Sequence, residues 1–154
     1  MRGRGRIQLR LATSHDVALL ARIHLEARAA AMPWLPVLHT TDETCAWMRE
    51  VVLPRQEAWI ATRDDLAIGF IALTDGWVEQ LYIDPVSWRT GVGSALLQHA
   101  KERRPAGFRL WTFQRNAMAR TFYRKHDLSE LRTTKGYDNE EKEPDVLLGW
   151  IRTS

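Results

Sequence analysis

Apolar residues alternate through IQLRLAT, placing Ile7, Leu9 and Leu11 on one face and predicting a first strand. Thr13 or Ser14 can cap the element that follows, where Val17, Leu19, Leu20, Ile23, His24 and Ala27 recur at helical spacing. That pattern predicts a helix from about Ser14 to Ala30, stopped by Met32-Pro33-Trp34-Leu35-Pro36. Thr41, ahead of Asp42 and Glu43, has the character of an N-cap, so a second helix is expected from there to about Val52, before Pro54.

Beyond Pro54 the period changes to two. EAWIATR, AIGFIAL and WVEQLYI are short, aromatic and β-branched, and they are separated by the turn signals Asp64-Asp65 and Asp75-Gly76. They read as an antiparallel meander. Helical periodicity returns from Gly91 to Arg104 and ends at Pro105-Ala106-Gly107, after which FRLWTF is a strand. Asn116 opens a short helix, NAMARTFYRKHD, and two last strands run from about Leu128 to Thr134 and Val146 to Arg152. The order β-α-α-β-β-β-α-β-α-β-β describes an α/β (α+β) fold: a mixed, mostly antiparallel central sheet flanked by four helices. The two strands bracketing the helix after Gly93 are most economically parallel.

Length and composition narrow the class. A chain of 154 residues with 45% hydrophobic and 27% charged residues suits one globular domain spanning residues 1–154, with residues 1–6 expected as a basic arm. Cys45 is the only cysteine, which excludes an intramolecular disulfide and any CxxC zinc or redox pair, and suits a reducing compartment. No segment approaches the roughly 20 apolar residues of a membrane span, so a cytoplasmic protein is expected. His15, His24, His39, His99 and His126 show no ligand spacing, so no metal is expected; His24 and His99 fall on apolar helical faces as packing residues. Trp47, Trp59, Trp111 and Trp150 read as core, and Trp77 as an edge residue.

Charge is unevenly spread. Nine basic residues and one acid lie between Val86 and His126, a stretch that expects an anion, whereas DNEEKEPD from Asp138 to Asp145 carries five acids and one lysine. Within the basic stretch, Gly91-Val92-Gly93 stands where strand gives way to helix. Unpaired backbone N–H groups and the helix dipole make such a turn an anion site, with Arg89 in the turn and Ser94 adding a hydroxyl. It is neither a dinucleotide fingerprint nor a nucleotide P-loop: Leu96 occupies the third-glycine position, and Ser94-Ala95 follows Gly93 where a P-loop has Lys-Ser or Lys-Thr. No GxSxG or HExxH motif is present.

The segment VEQLYIDPVSWRTGVGSALL, followed by LWTFQRNAMARTFYRKHDL, resembles the GNAT superfamily of N-acetyltransferases in two linked motifs. The first is a strand, a Gln/Arg-x-x-Gly-x-Gly/Ala turn and a helix; the second is a strand followed by Asn, then by Phe-Tyr in a short helix. The resemblance covers about Trp59 to Trp150, and the N-terminal part by element order only. Trp88 stands where the family has Gln or Arg, and His126-Asp127-Leu128 replaces the common Gly-Phe ending. The resemblance implies acetyl transfer from acetyl-CoA to a small-molecule or peptide amine. It implies that the backbone of Leu81, Tyr82 and Ile83 pairs with the pantetheine arm, and that Arg89, Thr90, Gly91, Val92, Gly93 and Ser94 hold the pyrophosphate. Asn116 would contact the cofactor and Tyr123 would protonate the leaving thiolate. Glu79, two residues before the cofactor-binding backbone, is the base candidate, or a water in its place. Trp34 and His39 are acceptor-side candidates by the family's architecture, and Glu141 in the acidic stretch would favour a cationic acceptor.

Two other classes stay open on the residues. A small basic nucleic-acid-binding protein has the Arg-Gly arm and seven tryptophans in its favour, but the chain has no RNP, KH or helix-turn-helix pattern. A non-catalytic acyl-CoA sensor on the same scaffold is the other. Edge strands leave a homodimer open.

Overall fold

The computed structural model describes residues 5–151. Residues 1–4 of the basic arm, and Arg152 of the last expected strand, lie outside the described residues. Strand β1 (Ile7–Leu11) leads to a tight cap: the Asp16 carboxylate accepts from the Thr13 N–H at 2.8 Å and is gripped by Arg10 through two bonds of 2.9 Å. A single 3₁₀ turn, Ser14–Asp16, then feeds α1 (Val17–Ala31).

Helix α2 (Thr41–Trp47) is capped by Thr40, one residue earlier than the acidic pattern implies. The Thr40 hydroxyl accepts from the Glu43 N–H at 3.1 Å and Glu43 accepts from the Thr40 N–H at 2.8 Å, a reciprocal capping box. Pro54 does not stop this helix. A π-helical turn, Met48–Val52, continues into Leu53–Arg55, because a wider turn already lacks the i to i−4 bonds that proline would break.

Three antiparallel strands follow, β2 (Glu57–Arg63), β3 (Leu66–Thr74) and β4 (Trp77–Ile83). Asp64 and Asp65 both take positive φ at the first hairpin, and Gly76 at the second, as the turn residues require. Then come α3 (Val92–Arg103), β5 (Phe108–Phe113), α4 (Ala117–Lys125), β6 (Ser129–Thr133) and β7 (Asp145–Trp150). The seven strands lie in the order β1-β2-β3-β4-β5-β7-β6. All neighbours are antiparallel except β4 and β5, as the helix between them demands.

The sheet is packed on both faces. On one side Leu20, Ile23, Met48 and Val52 of the first two helical segments meet Ile60 and Phe70; on the other, Val92, Leu96 and Leu97 of α3 meet Ile71, Leu110 and Leu148. Each of these side chains is buried to 2% exposure or less, worth about 1.5–3 kcal/mol apiece against exposure to water. The tryptophans differ from expectation. Trp47, Trp59 and Trp150 are only half-buried at the margins of the cores, and Trp111 is 40% exposed with the Arg132 guanidinium over its ring. Trp111 alternates with buried Leu110 along β5, so strand geometry turns it outward. No described helix is long and apolar enough to cross a membrane.

Candidate active site

The site begins with one irregularity. Ala72 of β3 pairs with Gln80 but Leu73 pairs with Val78, so Glu79 is the extra residue of a β-bulge in β4. On its other edge β4 pairs with β5 only at Trp77 and Arg109, where the Arg109 N–H also donates to the Gly76 carbonyl at 3.0 Å. Past the bulge the two parallel strands part. The opening is a cavity of about 790 Å³ lined by Val78, Leu81, Tyr82 and Ile83 on one wall, Leu110 to Phe113 on the other, and α3 and α4 at one end. The β4 backbone facing β5 thus has no strand partner over most of its length. An extended chain could add there as a strand would.

The glycine turn closes that end. Arg89 and Gly91 both adopt left-handed φ, 64° and 92°, and no side chain caps α3. The first intrahelical bond runs from the Ala95 N–H to the Gly91 carbonyl, so the N–H groups of Val92, Gly93 and Ser94 precede the ladder and need an acceptor. Gly91 is required by its φ, with open space around it. Packing favours a small residue at Gly93: an added Cβ would lie 3.0 Å from the Phe122 ring, which would have to give way slightly. Thr90 is fixed from three sides. Its hydroxyl donates to the Ser87 carbonyl at 2.6 Å, and Arg63, at the end of β2, donates to the Thr90 hydroxyl and carbonyl at 3.1 Å each. Trp88, in place of the usual polar residue, donates its indole N–H to the Ile83 carbonyl at 2.9 Å, which fastens the turn to the end of β4. Arg89 is exposed and makes no ion pair among the described residues.

Helix α4 supplies the third side. Asn116 caps it, its amide oxygen accepting from the Ala119 N–H at 3.2 Å. Tyr123 is 8% exposed and lines the cavity, and its hydroxyl makes no hydrogen bond among the described residues. Burial, with a smaller effect of nearby Tyr82, pushes its phenol above the usual tyrosine value, so it is a fully protonated donor at neutral pH. Glu79 lines the same cavity but is exposed, and it accepts from the Thr74 hydroxyl at 2.8 Å.

Of the phosphate-side and cofactor-arm candidates, Leu81, Tyr82, Ile83, Arg89, Gly91, Gly93, Ser94 and Asn116 all line this cavity. Val92 is instead core at 1% exposure, and Thr90 shapes the turn from behind. The acceptor-side candidates lie outside the lining. Glu141 pairs with Arg28 at 2.9 Å, His39 pairs with Glu140, and Trp34 sits beneath the Arg115 guanidinium at 4.1 Å and edge-on to Phe113. The acidic loop is therefore latched to the first half of the chain by the Arg28–Glu141 ion pair and the His39–Glu140 contact rather than left as a free negative rim. Arg28, which does line the cavity, was not singled out in the sequence. Burial would lower its guanidinium, but Tyr82 and Glu141 more than offset this and hold it above the usual value. Arg63 and His126 were also missed, because each acts across more than 25 residues of chain on a partner no local pattern links to it.

The matches to known proteins fall on these same elements. Residues 54–127 match the family model of the acetyltransferase (GNAT) domain. The chain is 22% identical over 143 residues to the peptidyl-lysine N-acetyltransferase YiaC of Escherichia coli strain K12, covering 92% of this chain and 95% of that protein. Its fold is similar to the solution structure of apo YjaB from Escherichia coli, with a TM-score of 0.80 and 23% identity over 96% of this chain and 99% of that one. It is also similar to PaiA N-acetyltransferase from Thermoplasma acidophilum in complex with coenzyme A, with a TM-score of 0.74 and 17% identity over 96% and 99% of the two chains. The matched domain runs from β2 through the bulge, the glycine turn and the tyrosine helix, and over these residues the chain carries the acetyltransferase (GNAT) domain of acetyl-CoA-dependent N-acetyltransferases.

Proposed function

We propose that this enzyme acetylates the ε-amine of lysine in a peptide or protein, with Tyr123 as general acid and Glu79, through a water, as the base. The observation that carries the chemistry is the Tyr123 hydroxyl, which makes no hydrogen bond among the described residues and stands on the wall of the opened β4–β5 cavity while the rest of its side chain is buried. The residues fit acetyl-CoA. A diphosphate finds the free N–H groups ahead of Ala95, and an amide-bearing arm finds the unpaired edge of β4. Bound there, acetyl-CoA supplies an activated acyl group whose leaving atom is a thiolate.

The chain's own residues then handle two protons. Tyr123 holds a proton on its phenol oxygen and delivers it to the departing sulfur. A neutral amine is needed for attack, and Glu79, exposed at the bulge, takes its proton by way of solvent. The hydrogen bond from Thr74 orients that carboxylate. A peptidyl-lysine acceptor is supported by the similarity to the peptidyl-lysine N-acetyltransferase YiaC over nearly the whole of both chains. It is supported by the cavity itself, which is open to solvent beside the Arg28–Glu141 latch and can admit a long side chain from a tethered backbone.

Thiol release from acetyl-CoA, measured against a panel of lysine peptides, α-amino peptides, polyamines and aminoglycosides, tests the proposal. Turnover confined to lysine peptides, with the modified nitrogen located by mass spectrometry, is the expected result. Turnover only with α-amines or small polyamines refutes the acceptor, and acetyl-CoA binding without turnover on any amine refutes the catalytic reading.

A further inference from the structure

His126 is the C-cap residue of the tyrosine helix, just before the left-handed Asp127, and its ring is held from more than one side. Its ring packs tilted against Phe122, centroids 4.6 Å apart at 52°, and Phe122 in turn lies against Gly93 of the glycine turn. Lys101 of α3 donates to the His126 carbonyl at 2.7 Å. Its Nε2 lies 3.0 Å from the Ser94 hydroxyl, in the first turn of α3, and both residues line the cavity. Two elements far apart in sequence are thus joined at the end of the cavity where the helix N–H groups are free.

We propose that His126 and Ser94 act as a proton-linked anion-binding pair, the imidazole gaining a proton as the diphosphate of acetyl-CoA settles on the glycine turn. This rests on the reading that the turn holds that diphosphate. The argument is one of hydrogen-bond polarity. A neutral imidazole with a bare Nε2 accepts the Ser94 proton, and the hydroxyl is then turned from the cavity toward the ring. An imidazolium can only donate. Its Nε2–H then occupies the Ser94 oxygen, and the hydroxyl hydrogen is released to the anion. Protonation therefore adds a positive charge and redirects a donor at once.

The charged groups around the ring are Lys101 on α3, Lys125 on its own helix and Asp127 in the turn after it. Burial first, then the two lysines, keep the imidazole below its ordinary value without the anion, against the opposing Asp127. The resting ring is therefore mostly neutral near pH 7, and a bound anion reverses the balance. Protonation does not merely follow solution pH; it is coupled to binding.

The test uses dephospho-CoA, which lacks the secondary phosphate that itself titrates near pH 6. Calorimetric titrations in two buffers of different ionisation enthalpy give the protons taken up, and a pH series gives the affinity. Wild type is expected to take up a fraction of a proton at neutral pH and to bind about fivefold tighter at about pH 6 than at about pH 8. His126→Gln, which keeps a nitrogen near the Nε2 position but cannot titrate, should show neither effect. Ser94→Ala should bind more weakly and lose most of the uptake. His126→Asn serves if the glutamine variant does not fold. Proton uptake unchanged in either histidine variant overturns the proposal, as does full uptake in Ser94→Ala. A folded wild type that binds neither CoA nor dephospho-CoA at any pH overturns instead the assignment of the turn.

Discussion

Replacing Arg63 by methionine keeps the aliphatic stem and removes the guanidinium that holds the glycine turn from behind. Two bonds to Thr90 are lost, to its hydroxyl and its carbonyl at 3.1 Å each, together with one to the Gly5 carbonyl at 3.1 Å. All three are part-buried bonds from a charged donor, and a bond of that kind contributes about 1.5–3 kcal/mol before solvent competes for the freed groups. Arg63 and Thr90 are half-buried, so water recovers part of this, and a loss of about 2 kcal/mol in all is expected. The loss divides between folding and binding. Thr90 lies between two left-handed residues, Arg89 and Gly91, a conformation that costs energy without external support. Freed of Arg63, the turn samples other states, and the bound state must restore its geometry. An affinity loss of about tenfold, near 1.4 kcal/mol, is expected for CoA. Isothermal calorimetry on Arg63→Met, Thr90→Val and the double variant isolates the shared bond. A coupling of about 1 kcal/mol is expected in the binding free energies. If the single effects add to within about 0.3 kcal/mol, the turn is rigid without Arg63 and the reasoning fails.

Tyr123→Phe should lower kcat by about 10²–10⁴-fold, the range for loss of a general acid, with CoA affinity nearly unchanged; a rate at wild-type level removes Tyr123 from the mechanism. His24 is half-buried between Trp47 and Tyr82, its buried Nδ1 has no hydrogen-bond partner among the described residues, and burial lowers it to about pKa 3. The unfolded chain takes up that proton below about pH 6.5 and the folded chain does not, so stability is full above that pH and falls as pH drops toward 3. His24→Leu should flatten the melting temperature between about pH 6.5 and pH 5, and an unchanged slope in thermal melts would locate the acid sensitivity elsewhere. Glu57 is drawn down to about 2, mainly by hydrogen bonds from Arg103 at 2.7 and 3.0 Å, so its contribution is present above pH 4.5 and lost as pH falls toward 2. Allowing for solvent screening, Glu57→Gln should cost about 1 kcal/mol at pH 7 and nothing at about pH 2, as read by urea unfolding.

Much of this was legible from the chain. The meander, the helix after Gly91, the Asn116 cap and the parallel pair around α3 all follow from periodicity and turn chemistry, which act over a few residues. Gly91 declared its role in the sequence because a left-handed residue at a helix start favours glycine whatever surrounds it. Gly93 was singled out with it, but its close packing against the Phe122 ring on another helix was not legible. The same distinction separates Tyr123, to which the resemblance in the Asn and Phe-Tyr motif pointed, from Arg63 and His126, which had no motif to carry them. The acidic stretch was misleading for a physical reason. Charge runs are solvated unless something nearby neutralises them, and Arg28 and Arg115, from two separate segments, do so for Glu141 and Glu143, while His39 contacts Glu140.

The amino-acid sequence by itself determined the element order and the sheet class, because each depends on local pattern, and its two linked motifs pointed to the residues proposed to hold the acetyl donor. Tertiary structure alone decided where the sheet opens. The bulge at Glu79 and the single β4–β5 pairing at Trp77 and Arg109 arise from register between strands, and register depends on how whole strands pack rather than on any one residue. It also decided which charges are free to meet a ligand and which are already spent on one another. Such pairings join residues remote in sequence, and only folding sets their distances.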